Sequence, residues 1–152
     1  MKVEFKLINE SIFKELKSEI IFNTETPRCY GMIGNENYSF KFGWQSEIII
    51  PQVNQISENV YSVGIDLNFV VLDFERNITV LNLSLDYFFY EIKLHEKFLY
   101  VITELSIIKI ELVTYKIIEE FSLPDFYEEI IFDNNRIEVK CSNNESAYFP
   151  LQ

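Results

Sequence analysis

Two consecutive stretches of this chain lie over one another without a gap, and this constrains the fold more than any other feature. Residues 60–97 (VYSVGIDLNFVVLDFERNITVLNLSLDYFFYEIKLHEK) align with 98–135 (FLYVITELSIIKIELVTYKIIEEFSLPDFYEEIIFDNN), each 38 residues long. Identities fall at Val63/Val101, Leu67/Leu105, Ser84/Ser122, Leu85/Leu123, Phe88/Phe126, Glu91/Glu129 and Ile92/Ile130, with conservative pairs such as Val70/Ile108 and Leu72/Ile110 between them. The same register sets turns over turns. Each copy reads as four short strands, at 60–65, 69–74, 79–85 and 90–94, then at 98–103, 107–113, 116–123 and 129–132. Asp, Asn and Glu cluster in the breaks. Four antiparallel strands in about 40 residues is the size and content of a β-propeller blade.

The register extends in both directions. Ser46, Ile56 and Asn59 fall on the positions of Ser84, Leu94 and Lys97, which places an earlier unit at 27–59; a further unit starts at 136 and is truncated. The earlier unit carries a hairpin, 29–33 with 38–42, around Gly34–Asn37. Upstream, Asn9 or Ser11 caps a short helix over Ile12, Phe13, Leu16, Ile20 and Ile21, spaced at a helical period with Lys14, Glu15, Lys17 and Glu19 opposite. The expected fold is therefore all-β, an open partial (half) β-propeller of about three four-stranded antiparallel blades with one short N-terminal helix. Residues 1–152 are expected to form a single domain. A closed four-blade ring is the arithmetical alternative, because four times 38 is 152. Open edges need protection, and Lys109, Lys116 and Lys140 are candidate guards.

Composition agrees. Apolar residues make up 48% of the chain, enough for a core, and 21 Ile and 14 Phe stand against one Ala. Thirteen basic and 24 acidic residues leave a net charge of −11. A field of that sign repels nucleic-acid phosphates and anionic membrane surfaces, so neither is an expected partner. The longest charge-free stretch, 48–57, is ten residues and cannot span a bilayer. No apolar run of signal-peptide length opens the chain, which makes the cytoplasm the expected compartment. Cys29 and Cys141 are expected as free thiols in that setting.

Catalytic chemistry is sparse. The single histidine, His95, has no Ser or Cys beside it to activate. One His and two distant Cys do not make a zinc site, and none of the four glycines sits in a phosphate-cradling pattern. Paired acids such as Asp73 with Glu75 raise a glycosidase reading, which requires two carboxyls facing one pocket, one of them in an environment that raises its pKa. The expectation is no enzyme, no cofactor and no metal. Trp44 reads as a packed residue at a blade edge.

One segment rises above this background. Residues 119–129 read EEFSLPDFYEE, five acids and three aromatics without a base, and 81–91 of the preceding copy read LNLSLDYFFYE. Acids interleaved with aromatics suit the docking of a basic protein: aromatics supply desolvated anchors and acids steer the encounter. Glu119, Glu120, Asp125, Tyr127, Glu128 and Glu129 are the candidate partner-binding residues. A small, strongly acidic, all-β chain of a few propeller-like repeats without a catalytic set resembles immunity proteins of bacterial polymorphic-toxin and contact-dependent growth-inhibition systems. It is most similar to those of half-propeller type. That resemblance implies binding and neutralisation of a cognate toxin, a basic ribonuclease-type domain, by covering its active or substrate-binding surface; the sequence leaves the oligomeric state open, with a monomer favoured. A different class of function also fits: a structural module that completes its propeller by dimerising or with a partner chain.

Overall fold

The computed structural model describes residues 2–151. Among these, one six-residue helix, α1 (Glu10–Glu15), accompanies strands β1 (Glu4–Ile8), β2 (Glu19–Asn23), β3 (Cys29–Gly34), β4 (Ser39–Trp44), β5 (Gln52–Ser57), β6 (Val60–Ile65), β7 (Asn68–Asp73), β8 (Ile78–Ser84), β9 (Phe89–His95), β10 (Phe98–Thr103), β11 (Ser106–Glu111), β12 (Ile117–Ser122), β13 (Tyr127–Phe132), β14 (Arg136–Cys141) and β15 (Ser146–Pro150). They form four sheets: A, in the order β1-β3-β4-β2; B, β5-β6-β7-β8; C, β9-β10-β11-β12; and D, β13-β14-β15. The fold is all-β, a partial propeller of blade-like sheets. The described residues divide into two compact units after Ser84, the first holding sheets A and B and the second sheets C and D.

The 38-residue period is physical, and its phase differs from the expected one. The sheets of the repeat start at Gln52 and Phe89, so β9 pairs with β10 and not with β8. The repeat recurs in backbone detail. Phe74 N–H donates to Asn59 O at 2.8 Å, Leu112 N–H to Lys97 O at 3.0 Å and Leu151 N–H to Asn135 O at 3.3 Å. Register breaks come back at the same step: one sets Tyr90 and another Glu128 as extra residues in first strands, and Val80 and Ile118 are extra in fourth strands. Bulges bend and twist a strand locally, so their recurrence gives successive sheets the same curvature.

Sheet A departs from the meander. The helix is shorter than its apolar spacing predicts; Asn9 caps it by accepting from Ile12 N–H at 2.8 Å, and it ends before Leu16. Ile20 and Ile21 lie instead on β2, which runs parallel to β4, while β1 pairs antiparallel with β3. Lys41 explains the helix stop. Its buried ammonium donates to Phe13 O at 2.6 Å and Leu16 O at 2.7 Å, holding carbonyls that the last turn leaves unpaired, and lies over the Phe13 ring.

Each unit has its own core. In the first, Ile33, Phe40, Phe42 and Trp44 of sheet A meet Val63, Ile65, Val70 and Leu72 of sheet B. In the second, Tyr100, Ile102, Ile107 and Phe121 of sheet C meet Ile137, Val139 and Cys141 of sheet D. Trp44 is packed, as its sequence context suggests. Burial, with the nearby Glu96 charge, pushes the Tyr100 phenol up to about 12. Two of the three candidate edge lysines lie away from sheet edges. Lys109 lies on the inner strand β11, 2% exposed, with its ammonium over the Phe98 ring and donating to Leu151 O at 2.9 Å. Lys140 is on the central strand of sheet D, and Lys116 is exposed immediately before β12, an edge strand of sheet C.

Candidate functional site

The six candidate residues all lie in the second unit but do not share one face. Glu119 and Glu120 are consecutive exposed residues of β12, the last strand of sheet C, so the pleat turns them to opposite sides. Glu128 and Glu129 begin β13. The bulge at Glu128 breaks the alternation, and both side chains reach solvent. Asp125 stands in the connection between these strands, half-buried, its carboxylate accepting from Phe126 N–H at 2.7 Å.

Tyr127 is a correction. It is 6% exposed and belongs to the core of the unit, not to a surface that touches a partner. Its hydroxyl donates to Glu91 Oε2 at 2.7 Å, and its ring meets that of Tyr90 with centroids 5.2 Å apart. Burial, reinforced by the Glu91 hydrogen bond and charge, raises its phenol well above the ordinary tyrosine range.

The exposed aromatics are its neighbours. Phe88 and Phe126, identical positions of the two copies, are each 51% exposed, and Tyr87 and Tyr90 are also exposed. The backbone of Glu104 ties the two segments together. Its N–H donates to Phe88 O at 3.0 Å and its carbonyl accepts from Tyr127 N–H at 2.8 Å. Ser142 N–H repeats the first bond one period later, to Phe126 O at 2.8 Å. The connections into sheets C and D are thus pinned by the same bonds, and each presents a phenylalanine to water. Asp86 and Glu128 are exposed beside them. Ile50, one period before Phe88, is exposed too, so the repeat carries an apolar residue at this position three times. The signal was present in the Phe88/Phe126 identity, but an aromatic matched between copies reads equally well as core.

Of the pair that raised a glycosidase reading, the Asp73 carboxylate has structural work and Glu75 is exposed. Asp73 Oδ1 accepts from Glu75 N–H and Arg76 N–H, and Oδ2 accepts from Arg76 Nε at 2.8 Å. Burial pulls the Asp73 pKa up, but these bonds and the Arg76 charge together hold it below the ordinary value. A cavity of about 320 Å³ in the first unit is lined by Glu19 and Glu36, both exposed; one of about 750 Å³ in the second has Glu96 as its one carboxylate. His95 ends β9 and stacks on Phe132, centroids 4.4 Å apart. Among the described residues no three His, Cys, Asp or Glu are grouped to hold a metal ion.

No family model and no curated protein matches the sequence. Solved structures do share the fold. The computationally designed Ika4 protein is 10% identical, with a TM-score of 0.57 over 90% of this chain and 94% of that one. Hsv2 of Kluyveromyces marxianus is 14% identical, with a TM-score of 0.50 over 86% of this chain and 47% of that one; Hsv2 of Kluyveromyces lactis gives 15% and 0.50 over 86% and 44%. The chain thus spans less than half the length of the Hsv2 proteins. At these identities the likeness concerns fold alone.

Proposed function

We propose that this chain is a protein-binding module that captures a basic protein. In the setting its sequence resembles, it is an immunity protein acting in the cytoplasm as a monomer, without catalysis, against the nuclease domain of a toxin. One observation carries the reading: Phe88 and Phe126 stand exposed at equivalent positions, tied through Glu104, among Asp86, Asp125 and Glu128. Exposed aromatics on a rigid backbone are suited to become desolvated anchors, and the surrounding acids suit a partner that must be basic to hold phosphates. Covering that basic surface would neutralise it without any reaction.

Steering is screened over about 8–10 Å at physiological salt, so association slows as salt rises. Stopped-flow capture of a basic ribonuclease-type toxin domain across a salt series, with a nuclease-protection assay, tests the reading. Reversal of both Glu128 and Glu129 to Lys should act chiefly on the on-rate and Phe126→Ala on the off-rate. Salt-independent association with full protection by both variants would remove this surface. The second reading, a module completed by another polypeptide, is favoured by the open edges of the four sheets among the described residues. A concentration-independent monomer in light scattering would count against completion by dimerisation.

A further inference from the structure

Three consecutive isoleucines face water in the connection between sheets A and B. Ile48 is 93% exposed, Ile49 60% and Ile50 64%, and all three lie between the end of β4 and the start of β5. In a strand facing a core, the pleat would turn one or two of three successive side chains inward; in this loop all three point out. Leu67, in the turn between β6 and β7, is exposed as well. A run of this kind is a liability in water unless a partner covers it. In the register of the repeat, Ile50 holds the place of Phe88 and Phe126, so the connections into sheets B, C and D each offer an apolar residue to an incoming surface.

Hydrogen bonds fasten this loop. Trp44 before it and Pro51 after it are buried. Asp66, in the same turn as Leu67, takes Gln45 N–H and Ser46 N–H on Oδ2 at 3.3 and 3.1 Å. Gln45 Nε2 donates to Thr26 Oγ1 at 2.7 Å, and Ile49 N–H donates to Ser46 Oγ at 3.1 Å. A backbone held in this way, carrying side chains already stiff at χ1, loses little freedom when it is covered. The stretch that bears the loop is acidic: residues 42–75 hold five acids and no base. At its two ends Lys41 is buried, and Arg76 Nε is bound to Asp73 at 2.8 Å. Glu47, next to the isoleucines, pairs with Arg28 at 3.8 Å, both side chains mostly exposed, a contact that contributes little.

We propose that Ile48, Ile49 and Ile50 anchor an amphipathic, basic segment of the partner protein. Its apolar side chains cover the three isoleucines and Leu67, and a cation on it takes Glu47 from Arg28. Charge selects this occupant. A second copy of the chain and an anionic membrane both bring negative charge to an acidic surface, and like charges repel. The proposal rests on the reading of the chain as a binder of basic proteins, and it gives the first unit an anchor of its own.

The probe is a terminally blocked fourteen-residue peptide of Leu and Lys with its leucines at helical spacing, titrated into the isotope-labelled 152-residue chain. One control peptide has every Leu replaced by Ser, another every Lys by Glu. The Leu/Lys peptide should move the amides of Glu47, Ile50 and Leu67, and its affinity read at those amides should be about tenfold or more above either control. Ile48→Ser with Ile49→Ser, both at exposed positions, should weaken it about tenfold or more at an unchanged urea midpoint; Ile48→Val with Ile49→Val should stay within about threefold of the parent. Should the serine variant not fold, the amide shifts of the unmodified chain and weaker binding by Glu47→Lys decide. No shift at those amides, equal binding of the Ser peptide, or full binding by the folded serine variant overturns the proposal. Phosphatidylcholine vesicles that sediment the parent but not the serine variant would overturn it in favour of a lipid surface, and a dimer that the serine variant dissociates in favour of self-association. A basic ribonuclease-type toxin domain whose capture is lost on reversal of Glu128 and Glu129 but unchanged in the serine variant would sink this anchor and leave the basic-partner reading standing. Equal or tighter binding of the Glu peptide at the same amides would sink both.

Discussion

Replacing Tyr127 with Phe separates the two roles a buried tyrosine beneath an acidic surface can have. The ring stays, so no cavity opens; what is lost is the 2.7 Å bond from the hydroxyl to the Glu91 carboxylate. Hydrogen bonds to charged acceptors contribute about 1.5–3 kcal/mol net. The Glu91 side chain is 28% exposed and lies 3.7 Å from Lys93 Nζ, so the freed carboxylate regains water and keeps a cation. That places the cost at the lower end, about 1.5 kcal/mol. With a urea slope of about 1–3 kcal/mol per molar, the midpoint should fall by about 0.5–1.5 M. Tyr148→Phe, which removes an exposed bond of 3.4 Å to Glu138, is the control and should shift it little. The variant should also blunt alkaline sensitivity. A phenol whose folded pKa is raised contributes stability that is complete below the unfolded value near 10 and is lost as pH rises past it. Capture of the basic partner should be unchanged. A midpoint equal to that of the parent refutes the packing argument, and a stable variant that no longer binds returns Tyr127 to the docking surface.

Asp73→Asn should flatten the acid limb of the stability curve. The Asp73 pKa is lowered on folding, so its contribution is present above the unfolded value near 3.9 and fades as pH falls through the folded one; urea midpoints at pH 6 and pH 3 read the difference. Val113 is 90% exposed and held at φ 82°, a conformation that disfavours a β-branched residue, so Val113→Gly should raise stability by about 0.5–1 kcal/mol in the same assay. Ile102→Ala, at a fully buried site between sheets C and D, should cost about 2–5 kcal/mol, and a loss under about 1 kcal/mol would contradict the core described for that unit.

The period of the repeat was legible because identical residues recur in equivalent hairpins. Its phase was hidden, since the turn signals at 66–68, 75–77 and 133–135 mark hairpins within sheets, whereas the segment between sheets B and C, residues 85–88, offers Asp86 alone among apolar and aromatic residues, without Gly or Pro. The helix was overextended for a related reason: Ile20 and Ile21 fit a helical period from Ile12, and a parallel pairing of β2 with β4 leaves no hairpin signal nearby. Among the candidate residues the acids were found on the surface because charge keeps them there. Tyr127 was misplaced because an amphipathic ring in an acidic run suits either side. Lys109 was misread because sequence gives no sign that a cation will find a carbonyl and a ring inside the core.

The order of strands in sheet A has a kinetic consequence. The hairpin of β6 and β7 closes between Ile65 and Asn68, three positions apart, whereas β2 meets β4 with Phe22 opposite Phe42, and β1 meets β3 with Leu7 opposite Gly31. A loop about seven times longer costs about 1.7 kcal/mol more entropy to close. Neither β1 nor β2 can zip outward from a tight turn as the meander strands do. Sheets B, C and D can therefore assemble by successive short closures, while sheet A must hold the β3–β4 hairpin open on both flanks until two distant segments arrive. Its contacts should form late, in the slow phase of refolding, although its residues are synthesised before those of sheets B, C and D.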